Sequence, residues 1–389
     1  MKSLSIGEKF NILAQTGLPL LIKGMPGEAK TAYVNALAKV ANRHIETVIA
    51  SIRDSSEIGG LPIQKPEGIV LSPPAWARRL LLAGKVAAGE TPETVCDVDK
   101  SFVEKVKNCV GGMVFFDEIT CVMPAGQAAL LRVIHEKVVG EMDLPQDTWM
   151  IAAANPPDVA ANGWELSAPM ANRFIHLDWE LDLNAWVDGM INGFAPPKVT
   201  LLPKNWRDGI FSARSLISSF IRARQVLLRQ FPTQAADRSG PWASPRSWDM
   251  AATVLAAARA SGMDEPLSLV SCCVGDAVAL EFATYCKNLD LPSPEELMAN
   301  PEAIKWPTDR DDKAFAMISS VVACAIAGKT SEVWNSAWLV LESGVKAGKQ
   351  DLCATFLKLM VNSKPKNATM PTRCLAIMAP ILDKAGCLK

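Results

Sequence analysis

The 389-residue chain carries 40 Lys and Arg against 41 Asp and Glu, a formal net charge of −1, and 49% of its residues are apolar. That is enough apolar material for a sizeable core and two or three domains, while the near-neutral balance argues against a constitutive nucleic-acid binder. Ten cysteines without a Cys-x-x-Cys pair, and only three histidines, argue against a zinc cluster. The adjacent Cys272 and Cys273 read as buried helix packing. No segment approaches the ~20 uninterrupted apolar residues of a membrane span. The most apolar stretch, residues 314–327, is too short and contains Ser319 and Ser320. The chain reads as a soluble protein of a reducing cytoplasm.

In chain order, residues 18–22 form an apolar run that ends in a glycine-rich turn, and Ala32, Val34, Leu37 and Val40 then recur with helical spacing. Residues 44–50 read as a second strand, and residues 113–116, 149–153 and 174–177 as three more, each separated by enough chain for a helix. Strands alternating with helices predict a parallel sheet covered on both faces. Between the second and third strands, Lys65-Pro66-Glu67-Gly68 places Pro and Gly where a β-turn uses them, which predicts a hairpin within residues 58–74. A second hairpin is expected around Gly140. Beyond about residue 180 helical periodicity takes over, over 211–229 and 248–261. Ser244-Pro245-Arg246-Ser247 is a helix start with Ser as N-cap and Pro at the first helical position. Residues 291–307 carry four prolines and read as a connector, with capping-box spacing at Ser293–Glu296. The remainder reads as amphipathic helices, one stopping near Gly328 and another beginning near Asp351. Trp334 and Trp338, four apart, share a helical face and read with Trp306 as packing residues.

Three segments carry chemistry. Gly24-Met25-Pro26-Gly27-Glu28-Ala29-Lys30-Thr31 follows G-x-x-x-x-G-K-[ST] except that Ala29 replaces the second glycine. In this pattern backbone N–H groups at a helix N-terminus hold phosphate oxygens, the lysine reaches the β- and γ-phosphates, and the hydroxyl serves Mg²⁺. Alanine suits the position if its φ stays negative. Next, Met113-Val114-Phe115-Phe116-Asp117-Glu118 is a buried strand with two carboxylates at its carboxyl end. Asp117 would hold Mg²⁺ through water, and Glu118 would polarise the water that attacks the γ-phosphate. Four apolar residues before Asp-Glu are common at strands running into solvated turns; after a phosphate loop they are specific. Finally, the strand ending in Asn155-Pro156-Pro157 must stop at the proline. It leaves a neutral amide that could position water, or simply cap a turn.

Together with Ala171-Asn172-Arg173-Phe174 before the fifth strand and the Ser-Pro-Arg helix start, these motifs resemble an AAA+ ATPase, and more closely its MoxR branch. The Gly-x-Pro-Gly-x-Ala-Lys-Thr loop, Ile58-Gly59-Gly60-Leu61-Pro62 and residues 127–139 (QAALLRVIHEKVV) support the resemblance, which covers about residues 10–290. It implies a five-stranded α/β P-loop NTPase core over residues 1–182, a helical lid over 183–290 and a helical extension over 291–389. It also implies Asn155 as first sensor, Arg246 as second sensor touching the γ-phosphate from the lid, and Arg173 as an arginine finger acting on the neighbouring subunit's ATP. Asn172 stands where the family carries Asp, which makes Arg132 the alternative finger. The two hairpins would face the pore of a hexameric ring.

The resemblance further implies an Mg²⁺-dependent ATPase that remodels a protein client, in this family often one with a von Willebrand factor A domain. A nucleic-acid translocase or restriction-type motor on a related module is the alternative. The near-neutral charge and the lack of a DNA-binding module stand against it. A non-hydrolysing switch is disfavoured by the joint presence of Lys30, Asp117, Glu118, Asn155 and Arg246, and a small-molecule kinase has no use for both sensors and a trans finger.

Overall fold

The computed structural model describes residues 5–66, 68–90, 100–156, 159, 164–366 and 368–384. Glu67 of the first predicted turn and Pro157 after the sensor strand lie outside the described residues. By spatial packing the chain forms two compact units, Met1–Pro203 with Gln230–Asp276, and Lys204–Arg229 with Ala277–Lys389. The three-part division expected above runs along the chain instead. The segment that carries Arg246 belongs to the same unit as the sheet.

The first unit opens with α1 (Ile6–Gln15), started by a capping box in which Ser5 and Glu8 satisfy each other's backbone N–H groups. The central sheet is all-parallel and five-stranded. Its members are β1 (Leu20–Lys23), β2 (His44–Ile49), β5 (Gly112–Asp117), β8 (Trp149–Ala154) and β9 (Ile175–Asp178), in the spatial order β2-β5-β8-β1-β9. Each predicted strand is present to within two residues. β5 and β8 are buried along almost their whole length, as strands covered on both faces must be. Helices α2 (Lys30–Val40), α4 (Ala75–Ala87), α5 (Lys100–Val106) and α6 (Pro124–Glu136) alternate with the strands in sequence. Strand β8 ends one residue before Asn155, at the proline boundary the sequence sets.

Edge strand β2 carries a buried carboxylate. Glu46 accepts two 2.6 Å hydrogen bonds from Arg79 on α4 and one of 2.6 Å from His44. Burial alone would raise its pKa, but the bonds from Arg79 and His44 bring it below the ordinary carboxylate value.

Both hairpins form. A short helix α3 (Ser55–Gly59) leads into antiparallel β3 (Leu61–Lys65) and β4 (Gly68–Ser72), while β6 (Val138–Val139) pairs with β7 (Met142–Asp143). Their backbones touch: the Gly140 N–H donates to the Gly59 carbonyl at 2.8 Å, and a Cβ on Gly140, at φ +62°, would sit 2.5 Å from the Leu71 carbonyl oxygen. Only glycine permits that approach. After β9, preceded by the single-turn α7 (Ala168–Ala171), the chain runs into α8 (Leu183–Asn192), leaves for α9 (Ile210–Ala223) and returns with α10 (Pro245–Ala260) and α11 (Ser271–Val274). Ser244 caps α10 in a capping box with Ser247, as its sequence indicates. Cys273 on α11 is buried and its thiol pKa is pushed well up by burial, which suits packing rather than reactivity.

The second unit is helical, built from α9, α12 (Asp276–Lys287), α13 (Pro294–Ala299), α14 (Asp311–Gly328), α15 (Ser331–Lys346), α16 (Gln350–Asn362) and α17 (Thr372–Lys384). The continuous helix expected over 211–229 breaks at Arg224, whose φ of −137° is not helical, and a 3₁₀ turn, Gln225–Leu228, follows. Trp334 and Trp338 lie in the core with ring centroids 5.6 Å apart, and Trp306 donates its indole N–H to Ser343. Among the described residues no helix is long and apolar enough to cross a membrane, and no cluster of His, Cys, Asp and Glu could hold a metal by itself.

Candidate nucleotide-binding site

The loop from Gly24 to Thr31 joins the carboxyl end of β1 to the N-terminus of α2, so its amides lie at a helix N-terminus beside the central strand of the sheet. Gly24 has no room for a side chain, since a Cβ would stand 2.7 Å from the Trp179 carbonyl oxygen and 2.9 Å from Glu28 Oε2. That carboxylate accepts the Met25 N–H at 3.0 Å, and the Trp179 indole donates to the Glu28 carbonyl at 3.0 Å, so both sides of the loop are tied down. Pro26 is exposed at the tip.

The expectation that Ala29 keeps a negative φ does not hold. Ala29 is the N-cap of α2 at φ +59°, ψ 23°, two residues after Gly27 at φ +87°. The chain reverses between strand and helix within five residues, and left-handed backbone at the cap lets the helix begin at Lys30. For an L-residue this costs roughly 1–2 kcal/mol, which Ala29 meets with no side-chain cap.

Lys30 is 8% exposed and folds back over the loop. Its three ammonium hydrogens are matched by three acceptors: the carbonyls of Gly24 at 2.7 Å and Met25 at 2.8 Å, and Asn155 Oδ1 at 3.0 Å. Burial lowers its pKa, and Glu28 and Asp117 partly oppose that shift. Beside it, the Thr31 hydroxyl donates to Asp117 Oδ2 at 2.8 Å. The loop, the end of β5 and the residue after β8 thus converge on one spot through direct hydrogen bonds. Thr31 and Asp117 are neighbouring hard oxygen donors, the set that suits Mg²⁺, which takes one or two protein oxygens and keeps several waters. A cavity of about 570 Å³ opens beside them, lined by Gly24, Met25, Glu28, Thr120, Asn155 and Trp179 among others. The Thr120 hydroxyl on its wall is buried without a hydrogen-bond partner among the described residues.

Glu118 turns out of β5 at φ +55°, and its Oε2 accepts a 2.7 Å hydrogen bond from the Ser51 hydroxyl. Sequence reasoning misses Ser51. It lies just past the end of β2, 67 residues away, and only the β2–β5 pairing, which sets Ile49 beside Asp117, brings the two together.

The arginines form a separate group. Arg173 follows the single-turn α7 and donates from Nη1 to the Pro169 carbonyl, while its buried Nε has no partner among the described residues. Burial lowers its pKa, and so does the nearby charge of Arg246. Burial, and then these two arginines, also lower the pKa of His135 on α6. Arg246 is exposed and makes no hydrogen bond or ion pair among the described residues. Neither arginine lines the cavity beside the loop. Arg132, the alternative finger, is engaged in its own chain: Nη1 donates to the Gly140 carbonyl at 3.0 Å and Nε pairs with Glu136 at 3.3 Å.

Beneath the segment that carries Arg173, His176 on β9 is fully enclosed and donates from Nε2 to the Ala171 carbonyl at 2.8 Å. Burial, with Lys23 nearby, depresses its pKa to about 3.

The sheet order β2-β5-β8-β1-β9, with a phosphate-loop motif between β1 and α2, a carboxylate pair at the end of β5 and an asparagine just past β8, the strand between them, is an α/β architecture of five parallel strands flanked by helices. No protein-family model matches the chain. Over 154 residues, 33% of this chain, it is 26% identical to the nuclear valosin-containing protein-like of Mus musculus, and it spans 17% of that relative's length. Among solved structures, a candidate ATPase from Cytophaga hutchinsonii aligns over 69% of this chain and 79% of its own, with 17% identity and a TM-score of 0.44.

Proposed function

We propose that the chain is an ATP-hydrolysing, Mg²⁺-dependent AAA+ machine of the MoxR-like kind, which assembles into a ring and remodels a protein client in the cytoplasm. The observation that carries the reading is the convergence of Lys30, Thr31, Asp117 and Asn155 on one hydrogen-bonded spot. Three separate stretches of chain meet there, and each supplies the group that binding and hydrolysing a nucleoside triphosphate requires.

In this reading the amides of residues 24–31 cradle the phosphates. Lys30 exchanges its carbonyl partners for β- and γ-oxygens, and Asn155 follows the γ-phosphate as a neutral amide. Thr31 and Asp117 would hold Mg²⁺, Asp117 through water, and the metal would supply neutralisation of charge on the phosphate oxygens. Glu118 accepts a proton from the attacking water once it leaves Ser51. Arg173 and Arg246, which interact electrostatically and bond to no carboxylate among the described residues, serve the nucleotide of a neighbouring subunit. Residues 183–290 act as the lid segment and 291–389 as an extension that packs the assembly. The β3–β4 and β6–β7 hairpins, joined at Gly59 and Gly140, present a single surface to the client; a protein with a von Willebrand factor A domain fits this role.

ATPase activity per subunit is expected to rise with protein concentration, because half of each site comes from the next subunit. Glu118→Gln is expected to trap ATP-bound rings that retain a protein. Turnover that is flat across a hundredfold dilution would remove the trans site, and a trap that holds nucleic acid and no protein would favour a nucleic-acid motor.

A further inference from the structure

The residue that departs from the family pattern, Asn172, holds the two arginine-bearing segments together. Its side chain is buried at 7% exposure and makes two directed hydrogen bonds. Nδ2 donates to the Trp242 carbonyl at 3.0 Å, and Oδ1 accepts from the Ser244 hydroxyl at 2.7 Å. Ser244 is itself the N-cap of α10, with its oxygen accepting the Ser247 N–H at 3.1 Å. Asn172 therefore touches the start of the helix whose second residue is Arg246, and it is covalently next to Arg173.

The chemistry of the two partners dictates an amide. A carbonyl can only accept, so the atom facing Trp242 must be a donor, and the atom facing Ser244 must accept. Aspartate supplies the acceptor alone. It would set a carboxylate oxygen against the Trp242 carbonyl, acceptor against acceptor. Alanine would remove both bonds, leaving the Trp242 carbonyl and the Ser244 hydroxyl only their contacts with Ser247 and cutting the link to residue 172. The charge of Arg246 opposes that of Arg173, lowering its pKa after burial does, so the two arginines do not gather unaided. Something neutral must hold them, and the Asn172 amide does so without adding charge to the group.

We infer that Asn172 is a positioning residue that yokes Arg173 and Arg246 into one cationic unit, which the protein presents to the triphosphate bound by an adjacent copy. This rests on the proposed trans site. It goes beyond that site in making the two arginines a single device that depends on a donor and an acceptor at residue 172. Misplacing a catalytic cation by about 1 Å costs on the order of 100-fold in rate, so loss of the yoke should act on turnover rather than on binding.

The test compares Asn172→Asp and Asn172→Ala with wild type for ATP turnover, binding of a fluorescent ATP analogue and thermal unfolding. It then mixes each variant with Glu118→Gln, which cannot hydrolyse but keeps an intact yoke. Turnover is expected to fall roughly 10- to 100-fold in both variants, with analogue affinity unchanged. Mixing should restore activity above that of either protein alone, because a Glu118→Gln neighbour supplies ordered arginines to a competent site. Wild-type turnover in Asn172→Ala, or a loss of turnover that mixing does not restore, overturns the yoke. Wild-type activity that does not depend on protein concentration instead overturns the trans site itself, and that result is read before any variant is made.

Discussion

The two charged groups of the first unit are built on opposite plans. Around Lys30 the charged and metal-facing donors have acceptors from the same chain: three for the ammonium, one for the Thr31 hydroxyl, one for the Glu118 amide. Arg173 and Arg246 instead interact electrostatically with each other and with His135, with a buried guanidinium nitrogen unsatisfied among the described residues. The first group is a closed hydrogen-bonded cluster that, in the function proposed, trades partners when a phosphate arrives. The second has its cations and its scaffold, and among the described residues no carboxylate is bonded to Arg173 or Arg246. That contrast is why the reading assigns the two groups to different subunits of one site.

The strongest way to break the first plan is Lys30→Ala, which removes the ammonium that three acceptors surround. Nucleotide affinity should fall at least about 100-fold, given that truncating one partner of a buried charge-assisted contact costs roughly 3–5 kcal/mol. Titration with a fluorescent ATP analogue checks this. Affinity within threefold of wild type would remove Lys30 from the site.

A second probe addresses the scaffold under the arginines. Enclosed His176 has its pKa depressed to about 3, whereas in the unfolded chain an imidazole titrates near its ordinary 6.5. Above pH 6.5 both states are neutral and the contribution is intact. As pH falls from 6.5 toward 3 the unfolded chain gains a proton that the folded chain refuses, and stability drops by up to about 1.4 kcal/mol per pH unit. His176→Gln, which keeps an N–H for the Ala171 carbonyl, should flatten the melting temperature against pH over that window. An acid slope identical to wild type would place the titration elsewhere.

The smallest effect is expected at the loop itself. Ala29→Gly relieves left-handed backbone at φ +59°, and the relief should outweigh the added freedom of the unfolded glycine, raising stability by up to about 1 kcal/mol with turnover nearly unchanged. Chemical denaturation checks the sign. A loss of stability would mean that the Ala29 methyl makes a contact worth more than the strain.

The contrast also separates what the sequence makes legible from what it hides. The five strands, both hairpins, the Ser244 cap and the Lys30, Asp117 and Asn155 positions all announce themselves locally, by periodicity, by turn residues or by a carboxylate at a strand end. Ser51 does not, because a serine after a strand has no pattern and its bond to Glu118 exists only through strand pairing. Asn172 is visible solely as a departure from a resemblance, while the reason for it lies 70 and 72 residues away at Trp242 and Ser244. The backbone of Ala29 is hidden for another reason: side-chain identity argues for negative φ, and the geometry of the strand-to-helix turn overrides it. The break of α9 at Arg224 is of the same kind, since nothing in the local apolar spacing signals it.

The central claim is that one working site needs Lys30 and Glu118 from one subunit and Arg173 from another. The most direct test mixes Glu118→Gln, which lacks the base but keeps its arginine, with Arg173→Ala, which lacks the arginine but keeps its base. Each alone should be nearly inactive. Mixed, they should recover ATP hydrolysis, with a maximum near equal proportions, because some interfaces then pair an intact base with an intact arginine. Activity that never exceeds the weighted sum of the two inactive proteins at any ratio would contradict the account.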